Sequence, residues 1–249
     1  MNIQIRRYDV LDSTNELIVE LAKQGAAEGT VVVAKEQHGG HGRKQRKWQS
    51  PVGGLWFSIL FRPKIESGYV AQLTLLAGVA VAKALRDIYR TNRIRIKWPN
   101  DLFLEGKKVG GILSEMRLNE HGGVDYAIVG IGVNVNLSAA AFQAELRDTA
   151  NSLKLAFGQE VPCDKVLQTI LKEIIVLYEA WQRKGTKRIL SMWKNLNCTL
   201  GHMVTVKDEG HVIFEGKAVS IDHTGALMVQ TGSGSIRSFD FGEVSIRPT

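Results

Sequence analysis

Residues 36–62 read EQHGGHGRKQRKWQSPVGGLWFSILFR, and the rest of the chain is organised around this stretch. It joins two apolar runs, TVVVA at residues 30–34 and LWFSILF at residues 55–61, which are both typical of buried strands. The connecting loop is rich in glycine and positive charge. Glycine lets backbone N–H groups approach an anion closely, and arginine offers a planar fork that matches phosphate or carboxylate. The pattern indicates either an anion-binding loop or an ordinary solvated surface loop, and it lacks the spacing of a Walker loop.

The composition is that of a soluble globular protein. A chain of 249 residues is expected to form one large domain, or a large domain with a small appendage, around a sizeable core. The formal net charge of +7 suggests an anionic partner, such as a nucleotide, a nucleic acid or an acidic protein. Residues 70–85 form the longest apolar stretch, which is shorter than the roughly 20 residues that a membrane span needs.

The N-terminal residues and the two cysteines indicate where in the cell the protein is located. The first six residues are followed by no apolar segment of the kind found in a signal peptide, so we expect a cytoplasmic protein without a membrane partner. Cys163 and Cys198 fit no metal or redox spacing, and we expect both to be reduced structural thiols.

Strand and helix patterns fill the first 200 residues. Either Asp12 or Ser13 is expected to cap a helical pattern, with Glu16 three residues after Ser13 as in a capping box and Gly25 as a stop. Further helices are predicted at residues 68–90, 164–182 and about 187–195, and strands at 3–10, 30–34, 55–61, 94–98, 102–104, 109–113 and 126–135. The small and polar segment 138–153 is either a lid or a surface connection.

The pattern changes at residue 201. Short strands separated by turn residues are predicted at 203–207, 211–221, 226–231, 235–241 and 243–247, with one of the turns at 209–210. This spacing favours a small β-barrel. We therefore predict two domains, residues 1–200 and 201–249.

Three short motifs are ambiguous when each is taken alone. KWPND at residues 97–101 is explained by a turn after a strand, and Lys107 and Lys108 are explained as charges at a hairpin tip. Gly130 and Gly132 share one face of a predicted strand, where glycine often marks the close approach of a ligand or of another backbone. Their order along the chain is more informative than any one of them.

In that order the motifs resemble the biotin protein ligase family, which shares its catalytic fold with lipoate ligases. The resemblance covers roughly residues 8–245, and the matching segments are DSTN at 12–15, the loop at 36–62, KWPND at 97–101, GKKVGGIL at 106–113 and GIGVN at 130–134. It implies an α+β fold, with a central mixed sheet flanked by helices and a C-terminal SH3-like β-barrel. Because DSTN lies so early in the chain, there is no room for the helix-turn-helix of repressor relatives, and a monofunctional enzyme is expected.

The resemblance also implies a reaction. The family activates the biotin carboxylate with ATP and Mg²⁺, which gives biotinyl-adenylate, and then passes biotin to one lysine of a biotin carboxyl carrier protein. Two anions must approach each other in the first step, and lysine, arginine and Mg²⁺ offset their repulsion. By resemblance the catalytic residues are Lys108, Arg43 and Arg46, with Lys108 bridging the biotin carboxylate and the α-phosphate. No metal ligand is assigned.

The resemblance further implies which residues bind each substrate. For biotin these are Ser13, Thr14, Asn15, Gln37, Gly40, His41, Trp56, Lys108, Leu113, Gly130 and Gly132. For the nucleotide they are Arg43, Arg46, Trp48, Asn100 and Asn134, with Trp48 stacking on adenine once the loop is ordered. The family's usual loop reads G-R-G-R-x-G-R-x-W, and this chain departs from it with His41 and Gln45. If position 41 acts through its carbonyl, the His41 departure costs little, whereas Gln45 is expected to stiffen the loop or to demand a different backbone angle.

Other functions also agree with parts of the sequence. Lipoate or octanoate ligase is the nearest alternative enzyme, and the KWPND and GKKVGGIL pair favours biotin over it. The net charge also fits a nucleic-acid-binding regulator, which retention on DNA at physiological salt would indicate. A non-catalytic binding protein is expected to lack Lys108 or Arg43, and both are present. Exposed strand edges leave a homodimer open.

Overall fold

The computed structural model describes residues 1–208, 211–240 and 245–248 of the chain. The helices among these residues are α1 (Thr14–Lys23), α2 (Ala71–Tyr89), α3 (Leu153–Phe157), α4 (Cys163–Lys184) and α5 (Lys187–Leu196). The strands of the first sheet are β1 (Gln4–Leu11), β2 (Thr30–Gln37), β3 (Leu55–Phe61), β4 (Ile94–Lys97), β5 (Asp101–Leu104), β6 (Lys107–Leu118) and β7 (Val124–Val133). Those of the second sheet are β8 (Met203–Asp208), β9 (His211–Ile221), β10 (Leu227–Gln230), β11 (Ile236–Phe239) and β12 (Ser245–Pro248).

The first sheet is mixed, as predicted. Its seven strands follow the order β1-β2-β3-β7-β6-β5-β4. The β1–β2 pair is parallel, and every other neighbouring pair is antiparallel. The tight turn predicted at Gly106 joins β5 to β6, where Glu105 and Gly106 both have positive φ, at 52° and 79°. Two consecutive residues in this conformation define the hairpin turn whose twist matches the flanking strands.

Helices cover both faces of this sheet, which confirms the predicted class of fold. α2, α4 and α5 pack on one face, where α2 is apolar around most of its circumference and most of its residues are buried. Residues 67–89 are long and apolar enough to cross a membrane, but 78% of the most apolar 18-residue stretch in this segment is buried inside the protein. This apolar surface is used in the core, as in the central helix of a soluble protein. α1 covers the other face, with Ile18 packed on the sheet.

The start of α1 has the predicted cap. Ser13 has extended backbone angles, and its Oγ accepts the N–H of Glu16 at 3.4 Å, so it is the N-cap residue. A cap of this kind stabilises a helix by about 1 kcal/mol. The helix ends at Lys23, and Gly25 follows with a φ of 86°. The sequence therefore placed the opening of α1 correctly, and with it the residues that line the cavity described below.

The second sheet is antiparallel, with the order β11-β10-β9-β8-β12. Its strands agree with the predicted C-terminal barrel. The predicted turn at 209–210, residue 241 of the fourth predicted strand and residues 243–244 of the fifth lie outside the described residues. The boundary between two domains at residue 200 stays a prediction.

The second sheet is attached to the first through Trp98, which is 1% exposed. The backbone N–H of Trp98 donates to Thr199 Oγ1 at 2.9 Å, and its indole Nε1–H donates to the carbonyl of Gly225 at 3.0 Å. Beside it, Gln72 Nε2 donates to the carbonyl of His223 at 2.8 Å. The turn between β9 and β10 is therefore fixed against the strand end that carries the KWPND motif.

The two cysteines allow a test of the predicted thiol state. Cys163 and Cys198 are unpaired and half-buried, and burial raises the pKa of both thiols. Because the thiolate is the reactive form, we expect both to react with a disulfide reagent at pH 8 at least about tenfold more slowly in the folded protein than in denaturant. Stopped-flow absorbance would measure this. Fast reaction of either thiol in the folded protein would contradict it.

Candidate active site

Glycines in the middle of the first sheet form the floor of a cavity. The register places Gly130 between Ser58 of β3 and Leu113 of β6. Two residues further along β7, Gly132 lies next to Gly111 of β6. The cavity above this floor has a volume of about 430 Å³, which is typical of a site for a small molecule.

The glycines allow other parts of the chain to approach the sheet. A Cβ atom on Gly130 would overlap with Asn15 Oδ1 from α1, and one on Gly132 would lie 2.8 Å from Trp48 Nε1. A side chain at either position therefore displaces α1 or the 38–50 loop. The atoms that approach these glycines belong to the side chains of Asn15 and Trp48 and not to another backbone, and the approach of a ligand stays a prediction.

Polar groups at the start of α1 form one part of the cavity wall. Thr14 donates its backbone N–H to Gln37 Oε1 at 2.8 Å, and Gln37 Nε2 donates to Ser50 Oγ at 2.8 Å. Both hydrogen bonds fix the direction of the Gln37 amide, because its oxygen and its nitrogen each have one assigned partner. This wall is neutral and preorganised.

Positive charge forms another part of the wall. Lys108 Nζ lies 2.6 Å from Asp101 Oδ1, beside Gly111, and 4.9 Å from the centroid of the Trp48 ring. Burial lowers the pKa of the Arg43 guanidinium, and the negative charge of Asp101 opposes that effect. Arginine stays charged under these conditions because its guanidinium group is too basic to lose a proton near neutral pH. The cavity therefore combines a lysine and an arginine that are both partly buried.

The basic loop has an unusual backbone. Trp48 N–H donates to the carbonyl of Gly40 at 2.9 Å, and Gly42 N–H donates to that of Arg46 at 2.7 Å. Between these bonds, Lys44 and Gln45 have φ values of 54° and 56°. This left-handed conformation costs an ordinary residue roughly 1–2 kcal/mol.

Gln45 therefore occupies a backbone angle that glycine, the usual residue of the family pattern, adopts without strain. The loop is also joined to the second sheet, since Lys44 Nζ lies 2.7 Å from Asp208 Oδ1. The structure confirms that Gln45 has an unusual backbone angle, with positive φ. That Gln45 also stiffens the loop stays a prediction.

The segment after β7 closes the cavity. Lys108 N–H donates to the carbonyl of Thr149 at 2.8 Å, and Asn151 N–H donates to the carbonyl of Lys108 at 2.9 Å. Apolar side chains of this segment line the cavity, among them Leu137, Phe142 and Leu146. The sequence left this segment open between a lid and a surface connection, and in the structure it is a wall of the site.

All of the predicted site residues except Trp56 line this cavity. The residues that do are Ser13, Thr14, Asn15, Gln37, Gly40, His41, Arg43, Arg46, Trp48, Asn100, Lys108, Leu113, Gly130, Gly132 and Asn134. The prediction that Trp56 lines the site is wrong, because this side chain is 1% exposed and packs with Leu137 and Phe142. Trp56 lies behind Trp48, with the two ring centroids 6.3 Å apart. The binding roles of the lining residues stay predictions.

Two predicted nucleotide-binding residues already have structural partners. Asn100 Nδ2 donates to the carbonyl of Ile112 at 2.7 Å, and Asn134 Nδ2 donates to that of Asn151 at 3.0 Å. Trp48 Nε1 is buried and has no hydrogen-bond partner among the described residues. Its stacking on adenine stays a prediction.

The sequence-based site omitted residues that the fold brings in. Lys97 and Asp101 both line the cavity, and their presence in KWPND was the available signal. The apolar wall from the 138–153 segment had no signal, because its small residues show no periodic pattern. In the part of the chain that the structure describes, no group of three or more His, Cys, Asp or Glu side chains could hold a metal ion.

The fold and the cavity define a class of protein: a mixed sheet carries a cavity that combines neutral hydrogen-bonding groups with lysine and arginine side chains. Residues 8–134 match the Biotin/lipoate A/B protein ligase family, and residues 199–247 match the Biotin protein ligase C terminal domain. The chain belongs to the biotin/lipoate protein ligase family, and its C-terminal domain is that of the biotin protein ligases. The family resemblance carried by the sequence motifs is thus confirmed.

Named relatives agree with this assignment. The chain is 39% identical over 228 residues to the bifunctional ligase/repressor BirA of Bacillus subtilis (strain 168), with 91% of this chain and 69% of that protein covered. It is 31% identical over 234 residues to the biotin–[acetyl-CoA-carboxylase] ligase of Paracoccus denitrificans, with 90% and 92% covered. The structure of a biotin protein ligase from Aquifex aeolicus in complex with biotin and ATP superposes with a TM-score of 0.85, at 33% identity and 99% coverage of both chains.

Proposed function

We propose that this chain uses ATP to convert biotin to biotinyl-5′-adenylate and then transfers biotin to a specific lysine of a biotin carboxyl carrier protein. The observation that carries the proposal is the arrangement along the glycine floor. Asn15 lies over Gly130, Thr14 contacts the neighbouring Ser58, and Lys108 lies beside Gly111, two residue pairs further along the β6–β7 ladder. A ligand with a neutral polar ring at one end and a carboxylate at the other suits this arrangement.

The first chemical step needs the positive charge. A carboxylate oxygen of biotin attacks the α-phosphorus of ATP, and pyrophosphate leaves. Lys108 and Arg43 reduce the repulsion between the two anions and stabilise the negative charge that grows on the α-phosphate oxygens. Their partial burial strengthens this effect, since water screens the charges less in the cavity. Arg46 is assigned to hold phosphate in the same step.

The second step transfers the acyl group. The amine of the carrier lysine attacks the acyl carbon of the adenylate, and AMP leaves. The mixed anhydride must be kept from water until then, and the 38–50 loop and the 138–153 segment enclose it from two sides. The position of Lys108 between these two segments is the reason that it serves both substrates in the proposal.

Mg²⁺ is expected to enter with ATP. Asp101 is the one carboxylate among the described lining residues, and this fits Mg²⁺, which keeps several waters and binds through one or two carboxylates and substrate phosphates. When bound, the ion would neutralise part of the negative charge of the triphosphate. Asp101 also holds Lys108 in place, through the contact of 2.6 Å.

Pyrophosphate–ATP exchange tests the proposed activity. Purified protein is supplied separately with biotin, lipoate or octanoate, and exchange is expected with biotin alone. Exchange with lipoate would keep the chemistry and overturn the proposed substrate. Absence of exchange with all three acids would overturn the proposed activity and would point to the departures at His41 and Gln45.

Location and partners beyond the carrier are part of the proposal too. We place the enzyme in the cytoplasm and expect it not to bind DNA, and retention on DNA at physiological salt would contradict this. β1 and β4 are the edge strands of the seven-stranded sheet. Two copies of the chain could pair through such an edge, and analytical sedimentation would show whether a homodimer forms.

A further inference from the structure

A half-buried carboxylate lies behind the polar wall of the cavity. Glu115 is on β6, two residues beyond Leu113, and its Oε2 accepts a hydrogen bond from Asn15 Nδ2 at 2.6 Å. Glu115 does not line the cavity, and nothing in the proposed reaction uses it. Its partner in this hydrogen bond, Asn15, does line the cavity.

This contact starts a chain of hydrogen bonds. Asn15 Oδ1 lies 2.5 Å from Ser58 Oγ, and Ser58 Oγ lies 2.7 Å from Thr14 Oγ1. Ser58 is fully buried on β3 and has no exposure to water. From the back of the wall to the cavity, the hydrogen-bonded side chains are therefore Glu115, Asn15, Ser58 and Thr14.

The carboxylate fixes the direction of every bond in this chain. An ionised carboxylate only accepts hydrogen bonds, so Asn15 must turn its NH₂ group to Glu115 and its oxygen to Ser58. A hydroxyl has one proton, and Ser58 must give it to Asn15 Oδ1. Ser58 can then only accept from Thr14, which uses the single hydroxyl proton of Thr14.

Thr14 is thereby left as an acceptor. Because Ser58 uses its single proton on Asn15 Oδ1, the contact of 2.7 Å between the two hydroxyls is made with the proton of Thr14, and the backbone N–H of Thr14 donates to Gln37 Oε1. Only the lone pairs of Oγ1 remain for a ligand in the cavity. A ligand that places an N–H or O–H group there gains a hydrogen bond, and one that places an acceptor there leaves two buried acceptors facing each other, which is costly.

We propose that Glu115, acting through Asn15 and Ser58, fixes Thr14 as a hydrogen-bond acceptor and so selects substrates that present an N–H group to it. The inference rests on the proposed function, in which the ureido ring of biotin supplies that N–H. Glu115 and Ser58 are positioning residues, since neither touches the ligand. The dithiolane ring of lipoate has no N–H group and is disfavoured by the same polarity.

The test replaces a donor with an acceptor in the ligand. Binding of biotin is compared with binding of the two cyclic carbamates in which one or the other ureido N–H is replaced by oxygen, by competition against labelled biotin. Wild-type protein is expected to bind at least one carbamate about 100-fold or more weakly than biotin, because a site built to hydrogen-bond one group rejects an analogue that lacks it.

Two variants remove the fixed polarity. In Glu115→Gln the new amide is able to donate to Asn15 Oδ1, so every hydrogen bond in the series is free to reverse its donor and acceptor. Thr14 is then able to donate into the cavity. In Ser58→Ala the hydroxyl proton of Thr14 is released directly. Both are expected to reduce the preference for biotin over the disfavoured carbamate by about tenfold or more, which is the loss of roughly one discriminating hydrogen bond.

Glu120→Gln is the matched control. It removes the same charge from an exposed position in the turn that joins β6 to β7, and the preference should stay at the wild-type value. The inference is overturned if either folded variant binds biotin and keeps the full preference, or if wild-type protein binds both carbamates as well as biotin. Failure of wild-type protein to bind biotin at all would instead count against the proposed function.

Discussion

Replacing Lys108 with alanine is expected to reduce biotin-dependent pyrophosphate–ATP exchange by about 100- to 1,000-fold, which is the usual effect of removing one group that stabilises charge in a transition state. Lys108 Nζ is held beside Asp101 in the cavity, where the two anionic substrates must meet. Its removal leaves the repulsion between carboxylate and α-phosphate opposed mainly by Arg43. Adenylate formation in a single turnover is the measurement, since it isolates the first step.

The folded state should be little affected by this change. The Lys108–Asp101 pair is about one quarter to one third exposed, with side-chain exposures of 31% and 23%, so its loss is expected to change the free energy of unfolding by no more than about 1 kcal/mol. Lys107→Ala is the control, because Lys107 is adjacent in sequence, contacts the carbonyl of Arg147 and does not line the cavity. Near-normal adenylation by Lys108→Ala would contradict the role assigned to Lys108.

Replacing Gly130 with alanine is expected to weaken biotin binding by about 100-fold, a cost of roughly 3 kcal/mol that combines overpacking with lost hydrogen bonds. The added methyl group would overlap with Asn15 Oδ1. Asn15 cannot move aside freely, because Ser58 and Glu115 hold both ends of its amide. Its displacement disturbs Thr14, the acceptor proposed for the ureido ring. Equilibrium binding of labelled biotin is the measurement.

The matched control for this substitution is Gly68→Ala. Gly68 is exposed, and a Cβ atom there meets no other atom within 4 Å, so it reports the effect of the glycine-to-alanine change alone. Biotin affinity should be unchanged in it. If Gly130→Ala binds biotin as well as wild-type protein does, the cavity floor does not hold the ligand in the way proposed.

Much of the fold was predictable because its signals are local. The Ser13 cap, the glycine stop at residue 25 and the turn at Gly106 each follow from the backbone angles that one or two residues prefer. The helical spacing of apolar residues likewise located α2 and α4. Strand alternation placed β7, and so it also placed the face that carries Gly130 and Gly132. The family motifs then predicted which segments share a cavity, and nearly all of their residues line it.

The remainder depends on contacts that no local pattern records. Trp56 is on the cavity face of β3, but Trp48 from the loop covers it, and the position of that loop depends on long-range packing. The contact of Glu115 with Asn15 spans 100 residues of sequence. The wall formed by the 138–153 segment depends on backbone bonds to Lys108, which a sequence of small residues cannot indicate. These features required the assembled sheet.

The attachment of Trp98 to the turn at residue 225 has a consequence for protein engineering. A chimera that carries the C-terminal barrel of another ligase would keep the indole N–H of Trp98 buried, and its acceptor would come from a foreign loop. An unmatched loop leaves that donor unsatisfied, at a cost of about 1–3 kcal/mol, two residues away from Asn100. A barrel from a homologue is therefore expected to replace this one without loss of stability only if it carries a β9–β10 turn that offers the same carbonyl to Trp98.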